Sequence, residues 1–241
     1  MAREAKLKVE LISYTKNPEQ VVAAAIRQCY SAAGVVDLKK TIDVARAEKL
    51  IKRVVASGHS STIEHASFTF AIEGISRACT HELVRHRIAS YSQQSQRYVN
   101  LGNKGIFYIV PPELKKKKNE LLLKRYIKTI NYLEKEYQYF TNLGIKPEDA
   151  RSLLPNACEA KIVVTMNARS LKNFFKLRMC QRAQWEIRNL AGKMAGKVKK
   201  VAPAIFASIG PTCMTEKACW EGEMSCGLWK KIKGGKLSAR G

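Results

Sequence analysis

No apolar run in this sequence approaches the roughly 20 residues that span a bilayer. The longest, such as Val21 to Ile26 and Val201 to Ser208, fall far short, so no transmembrane helix is expected. The opening residues, Met1-Ala2-Arg3-Glu4-Ala5-Lys6, lead into only a short apolar run without a signal-type cleavage pattern, and a cytoplasmic protein is expected. Acidic residues are scarce, with 20 Asp and Glu against 43 Lys and Arg. The resulting net charge of +23 attracts polyanions, whether nucleic acid, phosphate-bearing metabolites or acidic cofactors. Paired cysteine motifs are missing as well. Seven scattered cysteines, an odd number, exclude a secreted disulfide framework. Cys213, Cys219 and Cys226 lie close together, but with five and six residues between them they lack the Cys-x-x-Cys knuckles of structural zinc sites and are expected to be buried or idle thiols. His81-Glu82-Leu83-Val84-Arg85-His86 mimics a His-Glu-x-x-His metalloprotease helix, yet its second histidine comes one residue late, about 140° around a helix from the first. No metal is expected. Nor does any Gly-x-Gly-x-x-Gly stand at a strand-to-helix turn, which excludes a Rossmann dinucleotide site.

What is present fits one domain of 241 residues with 46% hydrophobic content, enough for a sizeable core and without a visible linker. Leu7 to Ser13 reads as an opening strand, and Asn17-Pro18 as the N-cap and first turn of a helix to about Tyr30. Apolar residues at 44, 47, 50, 51, 54 and 55 put a helix within Thr41 to Ser57, stopped by Gly58. A strand over Ala66 to Ile72 is bounded by Gly74, a helix runs from Ser76 to about Arg87, and an irregular polar stretch follows. Past Pro111-Pro112, a long helix is expected over Leu114 to Leu143, then a short helix over Pro147 to Leu153, a strand at Lys161 to Met166, and one or two helices over Ser170 to Lys200. Strands and helices alternate without segregation, which indicates a mixed α/β fold. Residues 228–241 form a basic tail expected to be mobile.

The densest chemistry is the run Arg85-His86-Arg87-Ile88-Ala89-Ser90-Tyr91-Ser92-Gln93-Gln94-Ser95-Gln96-Arg97-Tyr98. Arg85 and Arg87 diverge on a continuing helix, so they face one ligand only if the helix ends and the chain turns. Guanidinium forks pair bidentately with phosphate, and hydroxyls with backbone amides complete an anion cradle. The segment therefore reads as a phosphate or pyrophosphate site. A solvated arginine-rich loop and an RNA-contacting loop with Tyr91 and Tyr98 stacking on bases are the alternatives, although no RRM, KH or zinc-knuckle pattern accompanies the latter.

Arg85-His86-Arg87, seven residues, then Ser95-Gln96-Arg97 resembles the signature of the flavin-dependent thymidylate synthases, the ThyX family. Gly58-His59-Ser60-Ser61-Thr62-Ile63-Glu64-His65 is similar to a second family block, with Thr62 in place of the common proline. Arg151-Ser152-Leu153-Leu154-Pro155, then Asn167 to Arg178 and Ala183-Gln184-Trp185-Glu186-Ile187, resemble further blocks in the right order, over roughly residues 10 to 190.

The resemblance implies reductive methylation of dUMP, with 5,10-methylenetetrahydrofolate as carbon donor and NADPH supplying hydride through FAD. It implies a ThyX-type fold, a central twisted sheet flanked by helices, and a homotetramer whose sites lie between subunits. Nucleic acid is not required. FAD would be held by Ser61, Arg85, His86, Arg87, Gln93, Asn167, Ala168, Arg169 and Asn173, and dUMP by Glu82, Leu83, Val84, Arg85, Gln93, Gln94, Ser95, Gln96, Arg97, Arg151 and Arg178. Arg178 is the position the family associates with activating the uracil, where a permanent cation stabilises charge developing on the ring. Ser95 lacks a neighbouring base in the sequence and reads as a substrate hydrogen-bond donor rather than a nucleophile. Cys158 and Cys180 have no histidine partner in an interpretable motif. Glu82 departs from the family's glutamine: it weakens dUMP binding, is neutralised by arginines, or points to solvent.

Overall fold

The computed structural model describes residues 1–40, 42–102 and 105–234. Their secondary structure mixes helices and strands: β1 (Arg3–Glu4), β2 (Lys8–Tyr14), α1 (Pro18–Gln28), α2 (Val35–Lys40), α3 (Val44–Ala56), β3 (Ser67–Ser76), α4 (Arg77–Leu83), β4 (Ser90–Gln93), β5 (Phe107–Tyr108), α5 (Glu120–Asn142), α6 (Pro147–Ala150), β6 (Glu159–Asn167), α7 (Ala168–Arg178), α8 (Trp185–Val201), α9 (Thr212–Thr215) and α10 (Leu228–Lys233). Four strands hydrogen-bond in the order β2-β3-β6-β4, and β1 runs parallel to β5. None of the described helices is long and apolar enough to cross a membrane.

The chain packs as two compact units, one of residues 1–8, 71–85 and 91–163, the other of residues 9–70, 86–90 and 164–241. In the first, α5 turns Tyr137 and Ile130 inward, and the Tyr126 hydroxyl donates to the Ile109 carbonyl at 2.7 Å. The buried Glu134 carboxylate accepts from the Ile106 amide at 2.8 Å and lies 3.4 Å from the N-terminal ammonium, so its charge is matched rather than stranded. In the second unit, Phe68, Phe175 and Phe206 form edge-to-face contacts at 5.3 and 6.2 Å. Along β6 the alternate residues Ala160, Ile162, Val164 and Met166 are buried, the period-2 signature of a strand with one face inside.

Several expectations need correction. Asn17 does precede α1, but it is left-handed (φ 50°) and its side chain makes no cap bond. A side-chain cap is made instead at α3, where Asp43 accepts from the Arg46 amide at 2.7 Å. Gly74 does not end a strand: β3 continues through it to Ser76, with φ +69° and a position where any Cβ would lie 2.1 Å from the Lys6 carbonyl oxygen. The helix after it stops at Leu83 rather than Arg87, and the polar stretch beyond contains β4. The long helix starts at Glu120, after two short 3-10 turns. Within the expected mobile tail, Leu228–Lys233 is helical, and 235–241 lie outside the described residues.

Candidate active site

In the first unit, Ser76 accepts from the Cys79 amide and starts α4. Leu83 closes that helix with a wholly buried side chain, so it can meet a ligand only through its backbone. Its carbonyl already accepts from the Tyr91 hydroxyl at 2.9 Å, and burial pushes that phenol up to about 12. The Gln94 amide donates to the Lys161 carbonyl at 2.9 Å, anchoring the chain just past β4. Beyond it, Ser95 Oγ accepts from the Arg97 amide at 3.1 Å, a local turn that aims the motif's last residues.

Two arginines expected to hold phosphate meet at one residue. Arg97 Nε donates to the Glu148 carboxylate at 2.6 Å, and Arg151 Nε donates to the Glu148 carbonyl at 3.0 Å. The hydrogen bond and charge of Arg97, then the charges of Lys146 and Arg151, hold the Glu148 carboxyl below its usual range. Among the described residues, two buried side-chain polar atoms lack a hydrogen-bond partner, Gln93 Nε2 at the end of β4 and Gln96 Nε2 just past it. The Gln96 amide does lie by the Cys158 thiol and lowers its pKa, but without the geometry that would satisfy its Nε2. Burial dominates at Cys158 and pushes the thiol up to about 11, far from a reactive thiolate.

The second unit carries the other half of the residue set. Asn167 ends β6, and its side chain accepts from the Ser170 amide at 2.8 Å, capping α7. Ala168 is fully buried and offers only backbone, its amide donating to the Ala66 carbonyl. Arg169 Nη1 pairs with the Glu64 carboxylate at 2.5 Å, an exposed pair that an anionic ligand can displace cheaply. Residues 169, 172, 173 and 176 share one face of α7. Arg169, Lys172, Asn173 and Lys176 line a cavity of about 570 Å³, with Lys52 and Ser60 opposite. Lys172 is partly desolvated, which lowers its pKa, and it donates to the Ile205 carbonyl at 3.4 Å. The lining also holds Glu216, which pairs with Lys176, so Lys52, Arg169 and Lys172, with hydroxyl and amide donors, give the space the chemistry of a diphosphate-bearing cofactor site.

At the end of α7, Arg178 Nε donates to His86 Nε2 at 3.0 Å. His86 packs edge-on against Phe174 with ring centroids 5.0 Å apart. Burial first, and the Arg178 charge second, lower the His86 pKa from 6.5 to about 4. The imidazole is therefore neutral near pH 7, with its proton on Nδ1 and its Nε2 lone pair fixing the guanidinium. Ser61, Arg85 and Arg87 are exposed, and Glu82 is half-buried at the end of α4. Sequence reasoning missed Glu148, Lys52, Lys172 and Lys176. Glu148 stands three residues before Arg151, a helical spacing that could have signalled it, whereas Lys52 reaches the cavity only through the fold.

With this geometry in place, comparison with known proteins is specific. The family Thy1, described as thymidylate synthase complementing protein, matches residues 10–204. A flavin-dependent thymidylate synthase of Clostridium tetani is 50% identical, aligned over 94% of this chain and 96% of its own. One from Geobacter sulfurreducens is 46% identical over 94% of this chain and 97% of its own. Among solved structures, a UMP/dUMP methylase, PolB from Streptomyces cacaoi bound with 5-Br dUMP, shares the fold, with TM-score 0.74 and 24% identity over 86% of this chain and 95% of that one. The chain belongs to the flavin-dependent thymidylate synthase family.

Proposed function

We propose that the chain methylates dUMP to dTMP as a single catalytic domain in a cytoplasmic homotetramer. FAD is the cofactor, NADPH the reductant and 5,10-methylenetetrahydrofolate the carbon donor. The relatives' flavin-dependent activity supports the flavin, and the dUMP analogue bound by the Streptomyces protein supports the nucleotide. The observation that carries the reading is the pair of buried, unsatisfied Nε2 atoms of Gln93, at the end of β4, and Gln96, just past it beside Arg97. A buried donor left unpaired costs about 1–3 kcal/mol, and a ligand carbonyl recovers that cost. Pyrimidines and isoalloxazines both present such carbonyl edges, while Arg97 and Arg151 suit a nucleotide phosphate.

The donor set of the second unit fits FAD: Lys52, Arg169 and Lys172 for the diphosphate, with Asn173, Ser61 and Asn167 nearby in sequence for polar edges. When bound, the flavin supplies hydride chemistry that no side chain here can perform. The chain's own contribution is electrostatic. Arg178, its Nε held by a neutral acceptor, is placed to stabilise negative charge developing on the uracil ring. Ser95 has no base positioned to activate it and donates to substrate.

A spectrum of the purified protein, followed by an assay of dTMP formation, tests this. A flavin absorbance band, with NADPH oxidation and product both dependent on dUMP and methylenetetrahydrofolate, is expected. A colourless protein that makes no dTMP after FAD is added, and instead binds RNA with an affinity falling steeply with salt, would replace the enzyme with a nucleic-acid-binding protein.

A further inference from the structure

The three cysteines near the C-terminus have a fourth companion, distant in sequence, that only the fold brings to them. Cys180 follows α7 by two residues, Cys213 sits in α9, and Cys219 and Cys226 lie in the turns before α10. All four line one small cavity of about 50 Å³, with Trp220 and Lys176 beside them. Cys213 is buried, and the other three surround it at the cavity wall. The Arg182 amide already donates to Cys180 Sγ at 3.5 Å, a contact suited to a sulfur that carries charge.

Residues 211–234 need such an anchor. Among its described residues Pro211 and Cys213 are buried, Leu228, Trp229 and Ile232 are half-buried, and Met214, Trp220 and Met224 are exposed. Its helices, α9 and α10, have four and six residues. Lys217 at φ 52° and Gly227 at φ 78° turn the chain sharply between them. A segment with so little core is held by a cross-link, either disulfides or a structural metal. It meets α7 through the Lys176–Glu216 ion pair, with Trp220 also bonded to Glu216, and through the cavity that Leu177 lines together with Leu228 and Trp229.

We propose that Cys180, Cys213, Cys219 and Cys226 form a structural site for one thiophilic divalent cation, zinc being the type case. Four cysteines lining a single cavity supply the number and kind of ligands of a closed tetrahedral thiolate set, which leaves no open position for catalysis. Disulfides would use the same sulfurs in pairs and would require an oxidant. Binding replaces the thiol protons, so up to about four are released and the site gains a net charge of about −2. The cavity lining also carries Lys176, which pairs with Glu216, and Glu221, and the surrounding protein is strongly basic. No three of these groups are drawn together at ligand spacing among the described residues. Each thiol has about three staggered positions about χ1, and metal binding requires the four to turn toward the cavity. The ion fastens residues 211–234 to the end of the helix that bears Arg178, two residues before Cys180.

The metal content of the full-length protein, purified without chelator, tests the site independently of flavin or catalysis. About one zinc per chain is expected, and exchange with cobalt should give thiolate-to-cobalt charge-transfer absorbance in the near ultraviolet. Cys226→Ser should lose both signals, and Cys29→Ser, outside the cavity, should keep them. Metal-free wild-type protein that takes up neither zinc nor cobalt would overturn the proposal. So would an intact mass lowered by the hydrogens that disulfides lose, or loss of the metal in Cys29→Ser.

Discussion

Arg178 and His86 form the most informative pair in the molecule because each explains the other. A guanidinium whose Nε donates to a neutral imidazole is oriented at that nitrogen without an opposing charge. Replacing Arg178 by alanine should therefore leave flavin binding intact while lowering methyl transfer on the order of 10²–10³-fold. Near-normal turnover measured under saturating dUMP would remove Arg178 from the reaction. The same substitution should raise the His86 pKa part of the way back toward 6.5, since burial remains but the neighbouring cation is gone; histidine NMR reads this directly. A second consequence concerns acid. With its folded value lowered to about 4, His86 binds its proton in the unfolded chain first, so its contribution to stability is complete above pH 6.5 and is lost as pH falls toward 4. Urea unfolding at pH 7 and pH 5 should show a larger acid loss for the wild type than for His86→Gln; equal losses would mean the imidazole is not shielded as described.

At the level of elements, Gly74 shows how a local rule misleads. Glycine after an alternating run reads as a strand end, yet here it lets β3 pass within contact of the Lys6 backbone while its amide donates to Glu159 Oε1 at 2.9 Å. Gly74→Ala adds a Cβ against a backbone oxygen at a positive φ, and should cost about 2–4 kcal/mol, seen as a lower denaturation midpoint. A change below about 0.5 kcal/mol would show that the backbones are not pressed together there. Long periodic segments were legible because their apolar stripes are local: α3, α5 and α8 all fall largely within the stretches their spacing predicts. β4 was hidden because Ser90-Tyr91-Ser92-Gln93 carries no apolar alternation and exists as a strand through pairing with a partner distant in sequence. The same limit applies to the site. Arginines clustered in sequence raised the expectation of a phosphate-binding loop, but Glu148, which pairs with Arg97, and the lysines that line the cavity with Arg169 are joined to them only by the fold.

For the whole molecule, the governing quantity is a formal charge of +23 on every copy. Four such chains repel one another, and the proposed tetramer must offset that repulsion with apolar contact and with bound anions, among them the phosphates of FAD and dUMP. The candidate residues divide between the two compact units, Arg97 and Arg151 in one, His86, Arg169 and Arg178 in the other. If sites between subunits draw one set from each of two chains, inactive variants should rescue each other. Arg97→Ala and Arg178→Ala, each inactive alone, would on random co-assembly regenerate intact sites at about a quarter of positions, because each site needs a sound contribution from two independently chosen chains. Co-expressing the two variants with different tags, isolating the doubly tagged tetramers and assaying dTMP formation measures this. Activity no greater than that of the parent variants would place both arginines of each site on the same chain, and the shared-site arrangement would have to be abandoned.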